Sequence, residues 1–364
     1  MSVKIIMAGG GTGGHIFPAI AIAKAIKKIR PDAEILFVGA KGKMEMEKVP
    51  QAGFEIKGID IVGFNRSSLI KNIGLPFKLL KSFLQVKTII NHFKPDAVIG
   101  VGGYSSFPVL RFAQSKNIAT FIHEANSFAG KSNRLLGKKA SKVFVATDGM
   151  QKFFPVEKLM ITGNPVRSAI AHSTVVRYEA LKFFGLDPSR KTVLVVGGSL
   201  GAKSINEAID NGLDEFAHNH LQLIWQTGKL YAETAKKRAE GKTNVCVHEF
   251  ITQMEQGYAA ADLIVSRAGA MAITEICLLA KPAVFVPFPF AAEDHQTANA
   301  QHLVDRNAGL LIKDSEAKET LVSSIIALIN DEAKQNELKE NIKLLGVSDA
   351  DVVVANEVLK FVSK

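Results

Sequence analysis

Short apolar runs, rich in β-branched residues, alternate along the chain with longer stretches whose apolar positions recur at helical spacing. Such runs are typical of parallel strands buried on both faces, and their alternation with helices predicts α/β sheets. In the N-terminal half the predicted strands are Val3–Ala8, Glu34–Val38, Ala97–Val101, Thr120–His123 and Val143–Thr147. In the C-terminal half they are Thr192–Val196, Leu221–Gln226, Val245–Glu249, Leu263–Ser266 and Ala283–Pro287.

Each half opens with the same sequence of elements: a strand, a glycine turn and a helix. The predicted fold is therefore α/β, with two doubly wound Rossmann-like domains facing a cleft. The boundary is expected near the segment Gly163–Arg167, which gives domains of 1–165 and 166–350. A short C-terminal helix, about 351–364, follows, and packing back onto the first domain is one alternative for it.

Composition narrows the class of protein further. The chain has 364 residues, 47% apolar and 22% charged, which is globular and excludes wholesale disorder. Two cysteines cannot build a disulfide framework or a cysteine-based metal site. No apolar run is long enough for a membrane span, and the first residues lack a signal-peptide pattern. These features predict a soluble cytoplasmic protein.

The net charge of +10 is unevenly distributed. Residues 1–167 hold 25 basic against 10 acidic side chains, a charge of +15, whereas the rest of the chain carries −5. Such asymmetry favours an anionic partner for the first half, which could be nucleic acid, a membrane surface or a phosphorylated substrate. A solvated lysine-rich surface is the alternative. Because basic and aromatic residues do not interleave, we expect no nucleic-acid partner.

The first glycine turn, Gly9–Gly14, matches the dinucleotide fingerprint and allows backbone amides to approach an anion. That fingerprint also needs an acid at the end of the second strand, where this chain has Gly39 and Ala40. NAD binding is therefore disfavoured. His15 follows the turn at a helix start and is a candidate proton acceptor, although a structural histidine is the commoner case.

Two further glycine turns follow strand ends. Gly197–Ser204 nearly matches a P-loop, but Ala202 replaces a required glycine. A phosphate contact from Ser199 and the loop amides is predicted there, and ATP hydrolysis is not. The turn Gly100–Ser106 points to the same edge as the first one.

Residues 266–300 carry the strongest candidate chemistry. Arg267 to Ala270 form a strand-to-helix turn whose amides can hold a diphosphate. Glu275 lies one to two turns into that helix, where a carboxylate can accept both hydroxyls of a ribose. Gln296 follows the next strand and can contact a sugar through its amide. Alone, Glu275 would more often be a solvated helix residue.

Six segments occur in an order and spacing that resemble glycosyltransferase family 28, whose fold is GT-B. They are AGGGTGGHIFP (8–18), GGY (102–104), HEAN (123–126), GNPVR (163–167), GGSLGA (197–202) and SRAGAMAITE (266–275). The resemblance spans the chain and implies an inverting hexosyltransferase of peptidoglycan synthesis, with roles in cell wall biogenesis, cell shape and cell division. It would move N-acetylglucosamine from UDP-GlcNAc to the N-acetylmuramic acid 4-hydroxyl of lipid I, giving lipid II. A UDP-sugar 2-epimerase-like GT-B enzyme is the alternative.

The resemblance also implies a role for each matching residue. His15 is the first candidate for the general base and Glu124 the second. The N-terminal loop that closes on the donor would comprise Thr12, Gly13 and Gly14. Asn126 would lie near the transferred sugar, Arg167 would contact the diphosphate, and Tyr104 would also bind substrate. The nucleotide site would comprise Ser199, Ile251, Arg267, Gly269, Ala270, Met271, Ala272, Ile273, Thr274, Glu275 and Gln296. Ile251 would contact uracil through its backbone. Ala125, where many members have Gln, and the loop 289–292 depart from the family pattern.

The implied partners are UDP-GlcNAc, lipid I, an anionic membrane surface and other cell-wall synthesis proteins, with no metal or cofactor. A helix from Pro76 to about Phe93 presents a second apolar face besides its core face. The predicted membrane patch comprises Ile73, Leu75, Phe77, Lys78, Leu80, Lys81, Leu84 and Lys87. Apolar tips ringed by lysines suit shallow insertion among anionic head groups, although a helix buried on two sides is the alternative. This predicts a peripheral protein at the cytoplasmic face of the inner membrane.

Overall fold

The structure, a computed structural model, describes residues 2–63, 75–198 and 200–362. It divides into two compact units. One comprises Met1–Arg167 with Ser348–Lys364, and the other comprises Ser168–Val347. Among the described residues, no helix combines the length and the apolar character that crossing a bilayer requires.

The N-terminal unit is a parallel sheet in the order β3-β2-β1-β4-β5-β6-β7. Its strands are β1 (Lys4–Ala8), β2 (Glu34–Ala40), β3 (Glu55–Ile59), β4 (Ala97–Gly100), β5 (Ala119–Glu124), β6 (Lys142–Val145) and β7 (Leu159–Ile161). Its helices are α1 (Gly13–Ile29), α2 (Glu45–Gln51), α3 (Leu75–Phe93), α4 (Ser106–Ser115), α5 (Lys131–Gly137) and the C-terminal α16 (Ala350–Val362). The strand order reverses between β1 and β4, and the loops leaving those strands are where ligands bind in such sheets.

Cores lie on both faces of this sheet. Successive residues of β1 point to opposite sides, so Ile5 joins the core under α1, and Ile6 joins the one under α3 and α4. α16 packs on α1, with Val354 and Val358 buried in the first core. The ring of Phe361 meets that of Phe121 edge-on at 5.4 Å. The C-terminal helix therefore belongs to the N-terminal unit.

The C-terminal unit repeats this plan in the order β10-β9-β8-β11-β12-β13, again all parallel. Its strands are β8 (Thr192–Val196), β9 (Gln222–Gln226), β10 (Val245–His248), β11 (Leu263–Ser266), β12 (Ala283–Phe285) and β13 (Leu310–Leu311). Its helices are α6 (Ser168–Ala171), α7 (Arg177–Phe183), α8 (Lys203–Asn211), α9 (Leu213–His218), α10 (Ala232–Arg238), α11 (Met254–Ala260), α12 (Ala270–Leu278), α13 (His295–Val304), α14 (Ala317–Asn330) and α15 (Glu332–Lys343). Its strand order reverses between β8 and β11.

The two parallel sheets confirm the predicted doubly wound α/β fold. Three edge strands with one neighbour each, β3, β7 and β13, are absent from the sequence prediction. Polar residues interrupt β3, whereas β7 and β13 are apolar but only three and two residues long. The first helix begins at Gly13, which places His15 in its first turn, as its position after the glycine turn predicts.

Candidate functional site

The glycine loop after β1 carries His15. The His15 Nδ1 atom lies 3.2 Å from the Gly10 carbonyl oxygen and 3.3 Å from Thr12 Oγ1. A carbonyl oxygen can only accept a hydrogen bond, so the neutral ring carries its proton on Nδ1 and its lone pair on Nε2. The backbone thus selects the tautomer whose Nε2 can accept a proton.

The turn after β4 packs directly against this loop. A β-carbon at Gly102 would come within 2.7 Å of His15 Cδ2, and one at Gly103 within 2.2 Å of the Gly10 carbonyl oxygen. Both glycines have positive φ, +93° and +85°, which L side chains rarely adopt. Tyr104 follows them with 56% of its surface exposed. These glycines therefore leave room for the imidazole and for the loop that holds it.

Glu124 ends β5 and is almost completely buried. Its Oε1 accepts hydrogen bonds from the backbone and side-chain nitrogens of Asn126, at 3.2 and 3.3 Å. Its Oε2 accepts from Gly130 N at 3.2 Å and from Asn133 Nδ2 at 2.9 Å. Burial raises the pKa of this carboxyl, while the hydrogen bonds oppose that rise. The side chain organises the loop that contains Asn126.

His123, next to Glu124, is a buried neutral histidine. Its Nε2 donates to the Gly163 carbonyl at 3.3 Å, and burial lowers the pKa of the ring to about 4. Arg167 ends the same GNPVR segment, and its guanidinium lies 5.6 Å from the centre of the Phe17 ring. This cation–π contact fixes Arg167 against α1.

The C-terminal unit contains a cavity of about 850 Å³ at the carboxyl ends of β8 and β11. It lies at the point where the strand order reverses, which is the expected ligand position in this fold. Its lining includes Gly197, Gly198, Leu200, Ser204, Arg267, Gly269, Ala272, Phe288, Phe290, Gln296 and Asp314. Four of these, Arg267, Gly269, Ala272 and Gln296, are predicted site residues.

Arg267 is held firmly by its own unit. Its Nη1 donates to the carbonyls of Val286 and Pro287, at 3.0 and 3.2 Å, and to the Asp314 carboxylate. Ser204 bonds to both Arg267 and Asp314. The guanidinium was predicted to lie beside a diphosphate. The structure shows that it also ties the end of β12 to Asp314 and to α8.

The start of α12 forms the floor of this site. Gly269 is its N-cap, and helical residues run from Ala270 to Leu278, so Met271, Ala272, Ile273 and Thr274 lie in the first turns. The first amides of a helix have no hydrogen-bond acceptor within the helix, so some of these N–H groups are available to a ligand. Glu275 lies in the second turn, is buried, and accepts a hydrogen bond from Tyr258 Oη at 2.9 Å.

Two predicted contacts are occupied within the unit. The Ile251 amide donates to Gln226 Oε1 at 2.9 Å. A ligand that binds the backbone of Ile251 would therefore donate a hydrogen bond to its carbonyl oxygen. Gln296 Oε1 accepts from the Phe288 amide at 2.9 Å, which fixes the loop after β12.

Comparisons with known proteins agree with this geometry. The glycosyltransferase family 28 N-terminal domain matches residues 5–145, and the family's C-terminal domain matches residues 192–354. A Phocaeicola vulgatus protein is 50% identical over 100% of this chain and 97% of its own length. It is named UDP-N-acetylglucosamine--N-acetylmuramyl-(pentapeptide) pyrophosphoryl-undecaprenol N-acetylglucosamine transferase.

The chain belongs to glycosyltransferase family 28.

The fold of this chain is also similar to solved structures. Acinetobacter baumannii MurG is 30% identical, with a TM-score of 0.79 over 98% of this chain and 99% of its own. A Neisseria meningitidis UDP-GlcNAc 2-epimerase bound to UDP-GlcNAc has a TM-score of 0.69 over 99% of this chain and 100% of its own. At 15% identity, the second likeness shows the fold alone.

The family 28 chain exposes the predicted membrane face of α3. Phe77, Leu80 and Leu84 are exposed over 77%, 62% and 60% of their surfaces, so the alternative of a helix buried on two sides is wrong. Lys78, Lys81 and Lys87 are also exposed, and Lys81 forms an ion pair with Asp60 at 3.0 Å. Ile73, the side chain of Leu75 and Ser199 lie outside the described residues.

No group of three or more His, Cys, Asp and Glu side chains within residues 2–63, 75–198 and 200–362 could hold a metal ion. Five polar residues that hold the candidate site residues in place are absent from the prediction. They are Glu45, Asn133, Gln226, Tyr258 and Asp314. Gln226 had a detectable signal, since it is polar and ends an apolar strand. The other four reach their partners only through the fold.

Proposed function

We propose that this chain is an inverting glycosyltransferase that moves N-acetylglucosamine from UDP-GlcNAc to the N-acetylmuramic acid 4-hydroxyl of lipid I, giving lipid II. The observation that carries the proposal is 50% identity, over the whole chain, with a relative named for this transfer. The cavity at the switch point of the C-terminal unit supports it, because its floor is a helix N-terminus suited to a diphosphate. The proposal involves no cofactor.

The donor diphosphate would bind at the start of α12. Amides from Gly269 to Ala272 and the positive end of the helix dipole would stabilise phosphate charge, which grows as UDP leaves, whereas the Ile273 amide already donates to the Gly269 carbonyl. Arg167 and Arg267 add positive charge, and Ser199 would contact the phosphates. Because internal acceptors engage the Arg267 guanidinium, the amides of α12 supply the principal direct contacts in this proposal.

The nucleoside would be recognised by Glu275 and Ile251. A carboxylate can accept from both ribose hydroxyls, and the Tyr258 hydroxyl orients that of Glu275 from behind. At Ile251, the amide is bonded to Gln226, so the carbonyl would accept from uracil N3–H. Gln296 and Asn126 would contact the sugar.

The acceptor hydroxyl must lose its proton as it attacks the anomeric carbon from the face opposite UDP. His15 is the proposed base, since Gly10 holds its Nδ1–H and leaves the lone pair on Nε2. Glu124 is the weaker candidate, because each of its oxygens already accepts two hydrogen bonds. Thr12, Gly13, Gly14 and Tyr104 would line the same part of the N-terminal unit.

Lipid I would be reached at a membrane surface. The lysine-ringed apolar face of α3 and the +15 charge of residues 1–167 support peripheral binding to anionic lipid at the cytoplasmic face. Other cell-wall synthesis proteins are proposed partners there.

Acceptor dependence separates this function from UDP-sugar 2-epimerisation. The enzyme is incubated with UDP-GlcNAc, with and without a lipid I analogue, and free UDP and sugar products are measured. We expect UDP release and a β-1,4-linked disaccharide only when the acceptor is present. A 2-epimeric sugar formed without acceptor would support the epimerase alternative and refute the transferase.

A further inference from the structure

Glu45 is a buried carboxylate that the proposed function leaves unused. It begins α2, is 1% exposed, and forms no ion pair with any described residue. Its Oε2 accepts from the Gly11 amide at 2.8 Å, and its Oε1 accepts from the Ala40 amide at 2.9 Å. Burying a charge without a cation is costly, so these bonds must compensate for much of its lost hydration.

Two glycines make room for this carboxylate. A β-carbon at Gly10 would come within 2.2 Å of Glu45 Oε1, and one at Gly39 within 2.5 Å of Glu45 Cγ. By the dinucleotide fingerprint, a ribose-binding acid is missing from the sequence at Gly39. The structure shows an acid there after all, brought from α2 and directed into the protein.

The Glu45 carboxylate thereby binds the glycine loop from the interior of the protein. In a dinucleotide-binding domain, the amides of such a loop face a ligand's phosphates. Here the Gly11 amide is bonded to the chain's own carboxylate. On the neighbouring residue, the Gly10 carbonyl oxygen contacts His15 Nδ1 at 3.2 Å. Because the Gly10 carbonyl and the Gly11 N–H belong to the same peptide group, the carboxylate and the imidazole hold opposite sides of one peptide plane.

We propose that Glu45 is a positioning residue for proton removal: it fixes Gly10 and Gly11 so that His15 is held with its lone pair on Nε2. The inference rests on the proposed function, in which His15 takes the acceptor proton. Both partners of Glu45 are N–H donors, so a carboxylate satisfies both, whereas a glutamine amide offers one acceptor and one donor. Glu45→Gln therefore places a donor against a donor and releases one side of the loop.

The test compares Glu45→Gln, His15→Ala and the double variant by kcat, with the dissociation constant of UDP measured separately. Misplacing a catalytic group by about 1 Å costs up to roughly a hundredfold, so we expect Glu45→Gln to lower kcat at least about tenfold. UDP affinity should stay within about twofold, because the proposed contacts to UDP, apart from Arg167, lie in the other unit. Glu47→Gln on the same helix, at an exposed carboxylate, is the matched control and should leave kcat unchanged.

The double variant shows whether Glu45→Gln lowers kcat through His15. If Glu45 acts through His15, Glu45→Gln should cost less than about twofold in the His15→Ala background. General damage to the fold would lower kcat by the same factor in both backgrounds and overturn the proposal. Wild-type kcat in Glu45→Gln would also overturn it. Wild-type kcat in His15→Ala would instead refute the base assignment of the proposed function.

A second variant, Gly39→Ala, retains the Glu45 carboxylate but shifts its position. Gly39→Ala pushes against Glu45 Cγ from outside the glycine loop, so it should lower kcat in the wild-type background. In the Glu45→Ala background the remaining near contact is the flexible end of Ile56, whose Cδ1 is 3.1 Å away, so the same substitution should have little further effect. Equal losses in the two backgrounds would show that Gly39 acts independently of Glu45 and would contradict the proposal, even if Glu45→Gln fails to fold.

Discussion

Tyr258 donates a hydrogen bond from its buried hydroxyl to Glu275, with 2.9 Å between Oη and Oε2. The two residues come from α11 and α12, and both are 4% exposed. The bond orients a carboxylate proposed to hold the ribose, so nucleoside recognition depends on a residue behind the site. A bond to a charged group contributes about 1.5–3 kcal/mol, which is enough to affect affinity measurably.

We predict that Tyr258→Phe weakens UDP binding roughly tenfold, because the carboxylate loses its oriented position. Binding of 2′,3′-dideoxyuridine diphosphate should be unaffected, since that ligand lacks the hydroxyls that Glu275 would accept from. Calorimetric titration of both ligands measures the ratio. Tyr231→Phe removes a similar hydroxyl–carboxylate bond, to Asp210, and should change neither affinity. An equal loss for both ligands would contradict a ribose-specific role.

We predict that His15→Ala lowers kcat by about 10²- to 10⁴-fold, the usual contribution of a general base. The dissociation constant of UDP should remain nearly unchanged, because the proposed nucleotide contacts, apart from Arg167, lie in the C-terminal unit. Initial rates with saturating lipid I analogue check the first expectation. His218→Ala, at an exposed histidine on α9, serves as the control. A near-normal rate for His15→Ala would eliminate His15 as the base.

We predict that Lys78→Glu with Lys87→Glu weakens binding to phosphatidylglycerol vesicles by roughly thirtyfold or more. Each lysine near an anionic surface contributes about 1 kcal/mol, and reversal adds repulsion. Lys81 is left intact because it pairs with Asp60. Vesicle sedimentation measures the effect. Lys24→Glu with Lys28→Glu changes the charge equally on exposed positions of α1 and should retain more binding. Similar losses for both pairs would indicate a diffuse electrostatic attraction.

We predict that acid destabilises the N-terminal unit through His123. The pKa of its ring is about 4 in the folded chain and 6.5 in the reference state. Between these values the unfolded chain binds more protons, so stability is lost as pH falls from 6.5 towards 4. From pH 7 to pH 5 the expected loss is about 2 kcal/mol.

Thermal or denaturant unfolding at each pH checks the His123 expectation. His123→Gln should flatten this part of the stability curve, whatever its effect on stability at pH 7. The exposed His218 provides the control, since His218→Gln should leave the slope as in the wild type. Parallel curves for wild type and His123→Gln would show that another group is responsible.

The central strands and glycine turns were predictable because their signals are local. A strand buried on both faces must be apolar throughout, and a backbone that approaches another group closely must lack a side chain. The strands β3, β7 and β13 were not predictable in this way, because polar residues interrupt β3 and because β7 and β13 are only three and two residues long. The start of α12 was also predictable, since Gly269 and Ala270 follow a buried strand directly.

The partners of the site residues were not predictable in the same way. Glu45 reaches Gly11 across 34 positions, and Arg267 reaches Asp314 across 47. Nothing local distinguishes these acids from solvated ones.

By itself, the sequence determined the two α/β domains, the family and the residues proposed to face a nucleotide sugar, because these depend on periodicity and on short motifs. Only the tertiary structure decided which nitrogen of His15 carries the proton, and that an acid does stand beside the first glycine loop. It also decided that Phe77, Leu80 and Leu84 are exposed together. These properties depend on hydrogen bonds and burial between segments distant in the chain, which form only when the sheet brings those segments together.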